Sequence, residues 1–214
     1  MSEIPRTPEE ELESGLSRKQ FVTAVGLGAL AAPVVAGAAA GPAAASLQGR
    51  TEPLACTPGS STTIAQTEGP YFKPNSPLRS NIVPAGAPGT KLTVSGRVYS
   101  RSCKPLAQVL LDFWQADNAG TYDNTGFRFR GHLFTDANGA FTLTTLVPGL
   151  YPGRTRHIHV KLQAPNRPIL TTQLYFPGEP RNNTDTIYDR RLLMNVQTVP
   201  GGRTATYDFV LNVP

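Results

Sequence analysis

The sequence predicts an all-β sandwich preceded by an extended N-terminal arm, with few or no helices. Two observations carry that prediction. Apolar and polar residues alternate with period two in short runs from Lys91 onward, and Gly and Pro, at 20 each, punctuate them with turns. Seven or so strands at this spacing suit a sandwich better than a helical domain. A chain of 214 residues can hold one full domain and its core, but not two comfortable ones.

Residues 1–45 differ from everything after them. An acidic, polar start is followed by Ser17-Arg18-Lys19-Gln20-Phe21-Val22 and then a run of Ala, Gly, Val, Leu and Pro. This is the layout of an export signal. The motif is similar to the twin-arginine type, with Lys19 in place of the second arginine. Cleavage after Ala40 or Ala45 would release an exported protein with no stable membrane insertion. A retained anchor is the alternative, weakened by the high Gly and Ala content. Only Cys56 and Cys103 are present, both beyond the signal. In an exported domain such a pair reads most simply as one disulfide, with two free thiols as the alternative. In the chain-entropy account, closing that loop is worth about 4 kcal/mol.

Residues 46–90 read as an extended arm, because Pro70, Pro74, Pro77, Pro84 and Pro88 break any periodicity. Residues 91–214 form the β-sandwich domain. Lys91–Tyr99 alternates, placing Leu92, Val94 and Val98 on one side. Val109–Trp114 is nearly continuous and apolar, as expected of a strand buried on both faces. Phe127–Phe134 alternates again, and Ala140–Leu146 is expected to return as its hairpin partner across the Asn138-Gly139 turn. Val147–Thr155 is a loop, and His157–Gln163 and Thr171–Phe176 are strands. Pro177–Gly202 is irregular, with a short helix expected at Tyr188–Leu193. Thr204–Val210 closes the sheet.

The formal charge of +5 is spread along the chain without a Lys/Arg run or a basic–aromatic stripe, so no nucleic-acid partner is expected. The informative stretch is Leu150–Val160. His157 and His159 are two of only three histidines, and in a strand they project from the same face. That makes a ready pair of imidazole ligands. Tyr151 and Arg154, just upstream, bring a potential anionic ligand and a fixed positive charge. His132 has no such company and reads as structural.

Several stretches occur together in order: Glu68-Gly69-Pro70-Tyr71-Phe72, Trp114-Gln115-Ala116-Asp117 with Gly120-Thr121-Tyr122, and Pro148-Gly149-Leu150-Tyr151. Arg154-Thr155-Arg156-His157-Ile158-His159 and Gln173-Leu174-Tyr175-Phe176 follow. This set resembles the intradiol ring-cleavage dioxygenases, the family of catechol 1,2- and protocatechuate 3,4-dioxygenases, over about Cys56–Leu193. It is most similar to the small exported members, with a very short link from Tyr151 to His157, and it sets no oligomeric state. The resemblance implies a β-sandwich of the intradiol dioxygenase type and a mononuclear non-haem Fe(III). Its ligands would be Tyr122 and His157 in equatorial positions, and Tyr151 and His159 in axial ones. It also implies a catechol-type substrate that displaces Tyr151, and ring opening by O2 between the two hydroxyl-bearing carbons to a cis,cis-muconate-type diacid. Arg154 would stabilise negative charge on the ring, Gln173 would line the pocket, and Tyr71, Asp117 and Trp114 would form its walls. The chemistry of the residues agrees, since hard phenolate oxygens favour a ferric ion whereas zinc sites lean on Cys, His and carboxylate. The alternative from another class is a non-enzymatic, prealbumin-like binding module. It would explain Lys91–Tyr151 but gives no reason for Arg154, His157, His159 and Gln173.

Overall fold

The computed structural model describes residues 56–57 and 61–214. The expected export signal, and residues 46–55 of the arm, lie outside them. The strands are β1 (Lys91–Tyr99), β2 (Leu110–Trp114), β3 (Arg130–Phe134), β4 (Ala140–Leu146), β5 (His157–Gln163) and β6 (Leu170–Tyr175). They are followed by β7 (Asn195–Val199), β8 (Gly202–Thr206) and β9 (Phe209–Val210). Two sheets result, one ordered β4-β1-β8-β7 with β9 also on β1, the other β3-β2-β5-β6. No α-helix occurs among the described residues, and none of their helices is long and apolar enough to cross a membrane.

The sandwich core follows from the period-two pattern. Val94, Val98, Leu143 and Phe209 from the first sheet meet Leu111, Phe113, Ile158, Val160 and Leu174 from the second. Each fully buried aliphatic or aromatic side chain here contributes about 1.5–3 kcal/mol of burial free energy. Cys56 and Cys103 form the expected disulfide, spanning 47 residues and tying the start of the arm to the turn after β1.

Four expectations need correcting. β4 is not the hairpin partner of β3; it pairs antiparallel with β1 in the opposite sheet, register Lys91↔Leu146. The Asp136–Gly139 turn does reverse the chain, with Asp136 Oδ1 accepting from the N–H groups of Asn138 and Ala140. Turn chemistry specifies only the reversal, and here the two arms splay into different sheets. β2 does not bury both faces alike, for Leu110 and Asp112 on its outer side are only half-buried. The expected closing strand is two strands, β8 and β9, separated by Tyr207 and Asp208. Opposite this break stands Gly96, where a Cβ would lie 1.8 Å from the Tyr207 carbonyl oxygen. Asp208 Oδ1 fills the missing ladder position by accepting from Arg97 N–H at 2.7 Å. Finally, the region read as irregular contains β7, and its helical content is two short 3-10 turns, Pro180–Asn183 and Arg190–Leu192.

The outer face of the second sheet matters most for function. Its residues include Trp114, His157, His159, Gln173 and Tyr175, which alternate with the core-facing set. This face is roofed by the arm. Gln66 N–H donates to the Thr171 carbonyl, Lys161 pairs with Glu68, and Phe72 packs edge-on against Trp114 at 5.0 Å. Farther along, Leu78 bridges His132, while Ser76 Oγ donates to Asp112 Oδ1 at 2.7 Å. The His132 side chain is held by Ser76, with Nδ1 2.7 Å from its carbonyl, and packs edge-on against Phe134, in keeping with a structural role.

The break opposite Gly96 has a direct test. Gly96→Ala is expected to lower the urea midpoint, corresponding to about 1–3 kcal/mol of overpacking, with an unchanged m-value. A midpoint equal to that of the parent protein would show that the Tyr207 carbonyl can move aside freely.

Candidate metal centre

Two loops and one strand deliver the candidate ligands. His157 and His159 open β5, and the register sets His159 between Trp114 on β2 and Gln173 on β6. Tyr122 comes from the long β2–β3 connection, which is shaped by Asp117. Its Oδ1 accepts from the N–H groups of Ala119 and Thr121, and its carbonyl accepts from Gly149 N–H at 2.6 Å. Tyr151 comes from the β4–β5 loop, which lies back to back with the Tyr122 loop. Gly120 adopts φ +85°, and a Cβ there would stand 2.4 Å from the Leu150 carbonyl oxygen. The two tyrosines are thus spaced by a contact that only glycine permits.

Tyr122, His157 and His159 are only 7, 5 and 3% exposed. His157 Nδ1 lies 2.6 Å from the Thr155 carbonyl, which can only accept, so the ring proton sits on Nδ1 and the Nε2 lone pair is free. That Nε2 is 3.1 Å from His159 Nε2 and 3.2 Å from Tyr122 Oη. Two imidazole nitrogens at that separation share either a proton or a cation. Burial holds the His157 pKa down to about 4, and burial followed by the neighbouring His157 holds His159 well below the ordinary histidine value. Both rings are therefore neutral at pH 7, the form that binds metal. The Nδ1 of His159 has no hydrogen-bond partner among the described residues, and its ring stacks on Trp114 at 4.7 Å with an 8° interplanar angle.

Tyr151, half-buried, completes the group. Its hydroxyl is 2.8 Å from that of Tyr71, whose ring stacks on Tyr122 at 4.5 Å. The Tyr151 and Tyr122 rings are 5.7 Å apart, edge to face. Burial pushes the Tyr122 phenol above its ordinary value, so only a strongly charged partner would ionise it. No cluster of three His, Cys, Asp or Glu suited to a metal occurs among the described residues. The donor set is two imidazoles and two phenols, and it fits a hard, highly charged ion better than zinc.

Arg154 reaches the same region and is gripped on two sides. Its Nε donates to Asp185 Oδ2 at 2.9 Å and its Nη2 to Gln173 Oε1 at 2.7 Å. Gln173, fully buried, also donates from Nε2 to the Thr67 carbonyl and accepts from Tyr175 Oη. It anchors the arm to the sheet and faces the guanidinium rather than standing free in a pocket. Asp117 shapes a loop, and Trp114 backs an imidazole. Sequence reasoning missed Asp185 altogether, together with Thr155 and the hydroxyl of Tyr175. Asp185 lies 31 residues beyond Arg154 in a stretch without periodicity, so no sequence pattern marks it.

Comparisons with known proteins agree with this geometry. The Dioxygenase_C family model, described as Dioxygenase, matches residues 67–213. The beta chain of protocatechuate 3,4-dioxygenase from Burkholderia cepacia is 35% identical over 130 residues, covering 52% of this chain and 55% of that protein. The chain spans about half the length of the curated relatives it matches. One solved structure is the dioxygenase domain of a dioxygenase carbohydrate-binding protein fusion from the cellulolytic bacterium Streptomyces sp. SirexAA-E. It superposes with a TM-score of 0.71 at 66% identity, covering 72% of this chain and all of that one. The 3-chlorocatechol 1,2-dioxygenase of Rhodococcus opacus 1CP superposes with a TM-score of 0.67 at 30% identity, covering 71% and 73%. The family typically uses non-haem Fe(III), a metal that suits the donor set on β5 and its flanking loops. With a family match over most of the described residues and the same sandwich in its solved relatives, the chain belongs to the intradiol ring-cleavage dioxygenases.

Proposed function

We propose that this protein is an exported, non-haem Fe(III) dioxygenase that opens catechol-type diols with O2 between the two hydroxyl-bearing carbons, giving cis,cis-muconate-type diacids. One observation carries the reading: buried His157 Nε2 lies 3.2 Å from Tyr122 Oη and 3.1 Å from His159 Nε2, with the Tyr151 ring 5.7 Å from that of Tyr122. Tyr122, Tyr151, His157 and His159 would hold the metal. When bound, a ferric ion would supply positive charge that ionises the phenols and the diol and prepares the ring for O2.

The protein's own residues do the rest. Tyr151 is the most exposed of the four donors and sits in a loop with Pro152 and Gly153 open to solvent, so it is the one able to leave. Its phenolate can take a proton from the incoming diol, and Tyr71, 2.8 Å away, receives the displaced hydroxyl in a hydrogen bond. Tyr122 and the histidines, closed in by the arm and Trp114, stay in place. Arg154, held by Asp185 and Gln173, presents fixed positive charge for electron density that builds on the ring.

Export rests on the signal-like N-terminus, and the disulfide agrees with an oxidising compartment. The substrate class we favour is bulky, plant-derived diols. The Tyr151–His157 link is short, Leu150 is 37% exposed, and nothing lies within 4 Å of a Cβ at Gly153. The carbohydrate-binding fusion from a cellulolytic bacterium supports a plant-polymer setting.

The iron-loaded full chain is expected to be red-brown, to shift its visible band on anaerobic catechol, and to bleach with diacid formation when O2 is admitted. Tyr122→Phe and His159→Ala should each lose the resting colour; a folded, iron-supplied protein without colour would remove the assignment. In a substrate panel, catechols substituted at position 4 with propenoate-sized groups are expected to turn over within about tenfold of catechol. Turnover confined to unsubstituted catechol would count against the open site.

Acid should weaken the metal-free fold. The unfolded chain binds protons on His157 from its ordinary value of 6.5, whereas the folded chain resists until about 4. Stability is therefore complete above pH 6.5 and is lost as pH falls through that window. Urea midpoints measured from pH 7.5 to 4.5 should show this slope, and His157→Gln should reduce it, leaving the part that the likewise depressed His159 contributes.

A further inference from the structure

Asp185 lies between the two 3-10 turns, and its side chain is only 2% exposed. A carboxylate so deeply buried has to be paired at both oxygens. Oδ2 accepts from Arg154 Nε at 2.9 Å and from Thr155 N–H at 2.8 Å, while Oδ1 accepts from Ile187 N–H at 3.1 Å. Burial alone would raise its pKa; the Thr155 and Arg154 hydrogen bonds outweigh it and hold the carboxyl below the usual range. Thr155 then presents its carbonyl to His157 Nδ1 at 2.6 Å, and its hydroxyl donates to Asn182 Oδ1 at 2.6 Å. One carboxylate oxygen thus touches two consecutive residues, one supplying the guanidinium and the other orienting the imidazole.

We propose that Asp185 is the positioning residue of this centre: it aims the Arg154 guanidinium and, through Thr155, sets the orientation of His157. Only the kinetic part of the test rests on the dioxygenase reading. A guanidinium held at one nitrogen can swing, whereas one held at Nε by Asp185 and at Nη2 by Gln173 has a defined plane. That plane leaves Nη1 without a hydrogen-bond partner among the described residues, free to face a ligand. On the other branch, Thr155 is anchored at its N–H by Asp185 and at its hydroxyl by Asn182. Its carbonyl is thereby turned to His157 Nδ1, which leaves the Nε2 lone pair aimed at Tyr122 and His159. Loss of such a supporting contact typically costs 10–100-fold in metal affinity or activity.

The test compares Asp185→Ala, Arg154→Met and the double variant in the iron-loaded full chain. Asp185→Ala is expected to lower kcat on catechol roughly 10–100-fold, with KM moving less than about threefold, as for an interaction made mainly in the transition state. In the Arg154→Met background the same change should cost far less, because its route through the guanidinium has gone. Two NMR readouts on the metal-free protein need no turnover. The Arg154 Nε–H proton should exchange slowly in the parent protein and fast in Asp185→Ala. The 15N shifts of His157 should report a single Nδ1–H tautomer in the parent and a mixture in the variant. Should Asp185→Ala not fold, Asp185→Asn, which keeps one acceptor oxygen, carries the same comparison with a smaller loss. Full additivity with unchanged Arg154 exchange overturns the guanidinium branch, and an unchanged His157 tautomer overturns the imidazole branch. A parent protein that does not open catechol removes the dioxygenase reading, while the two NMR readouts still decide the placement of both residues.

Discussion

A sheet face that carries imidazoles has to be covered before it can bind a metal ion tightly, and that cover organises this molecule. β5 is buried on both sides, yet only its Ile158, Val160 and Leu162 face the sandwich core. His157 and His159 point the other way, and they are shielded by residues 61–78, the Tyr122 loop and the segment after β6. The covering is polar where it meets the sheet, through Gln66, Glu68, Thr67 and Ser76, and aromatic where it meets the ligands, through Tyr71 and Phe72. Low dielectric follows from the cover, and from it follow the neutral imidazoles and the reluctant phenol.

Charge is arranged around the donors rather than among them. Among the described residues no carboxylate clusters with the two histidines, so a bound cation would meet phenols and neutral rings. The fixed charges sit one layer out, as the Arg154–Asp185 pair and the buried Arg130, whose Nε and Nη2 donate to the Asp123 carbonyl. Asp123 itself is kept far below the usual carboxylate range, first by the Gly126 and then by the Arg128 N–H groups, and so stays ionised as a loop clasp. Such an outer layer can hold the loops without competing for the metal.

Much of this was legible in the sequence, for identifiable reasons. β1, β4 and β5 have the bounds read from alternation, because each has one core face and ends at a turn residue. His157 and His159 are placed on one face by the period of a strand alone, Tyr151 is marked by its place just upstream of them, and Tyr122 enters only through a family resemblance. What escaped was long-range. No local signal says that β4 crosses to the other sheet, since the Asp136–Gly139 turn has the same chemistry in either case. β7 went unread because its outward residues are exposed and its inward ones few. Asp185 escaped because an aspartate in an irregular stretch looks like any surface residue until the fold brings Arg154 to it.

The back-to-back contact of Gly120 and Gly149 with the neighbouring loops has an evolutionary consequence. A Cβ at Gly149 would lie 2.3 Å from the Gly120 nitrogen, so neither loop can gain a side chain or a residue there without displacing the other. Tyr122 and Tyr151 are therefore inherited as a linked pair of fixed spacing. Diversification toward new diols has to be written elsewhere, by replacing exposed side chains at the rim such as Leu150 rather than by insertions that would part the two loops.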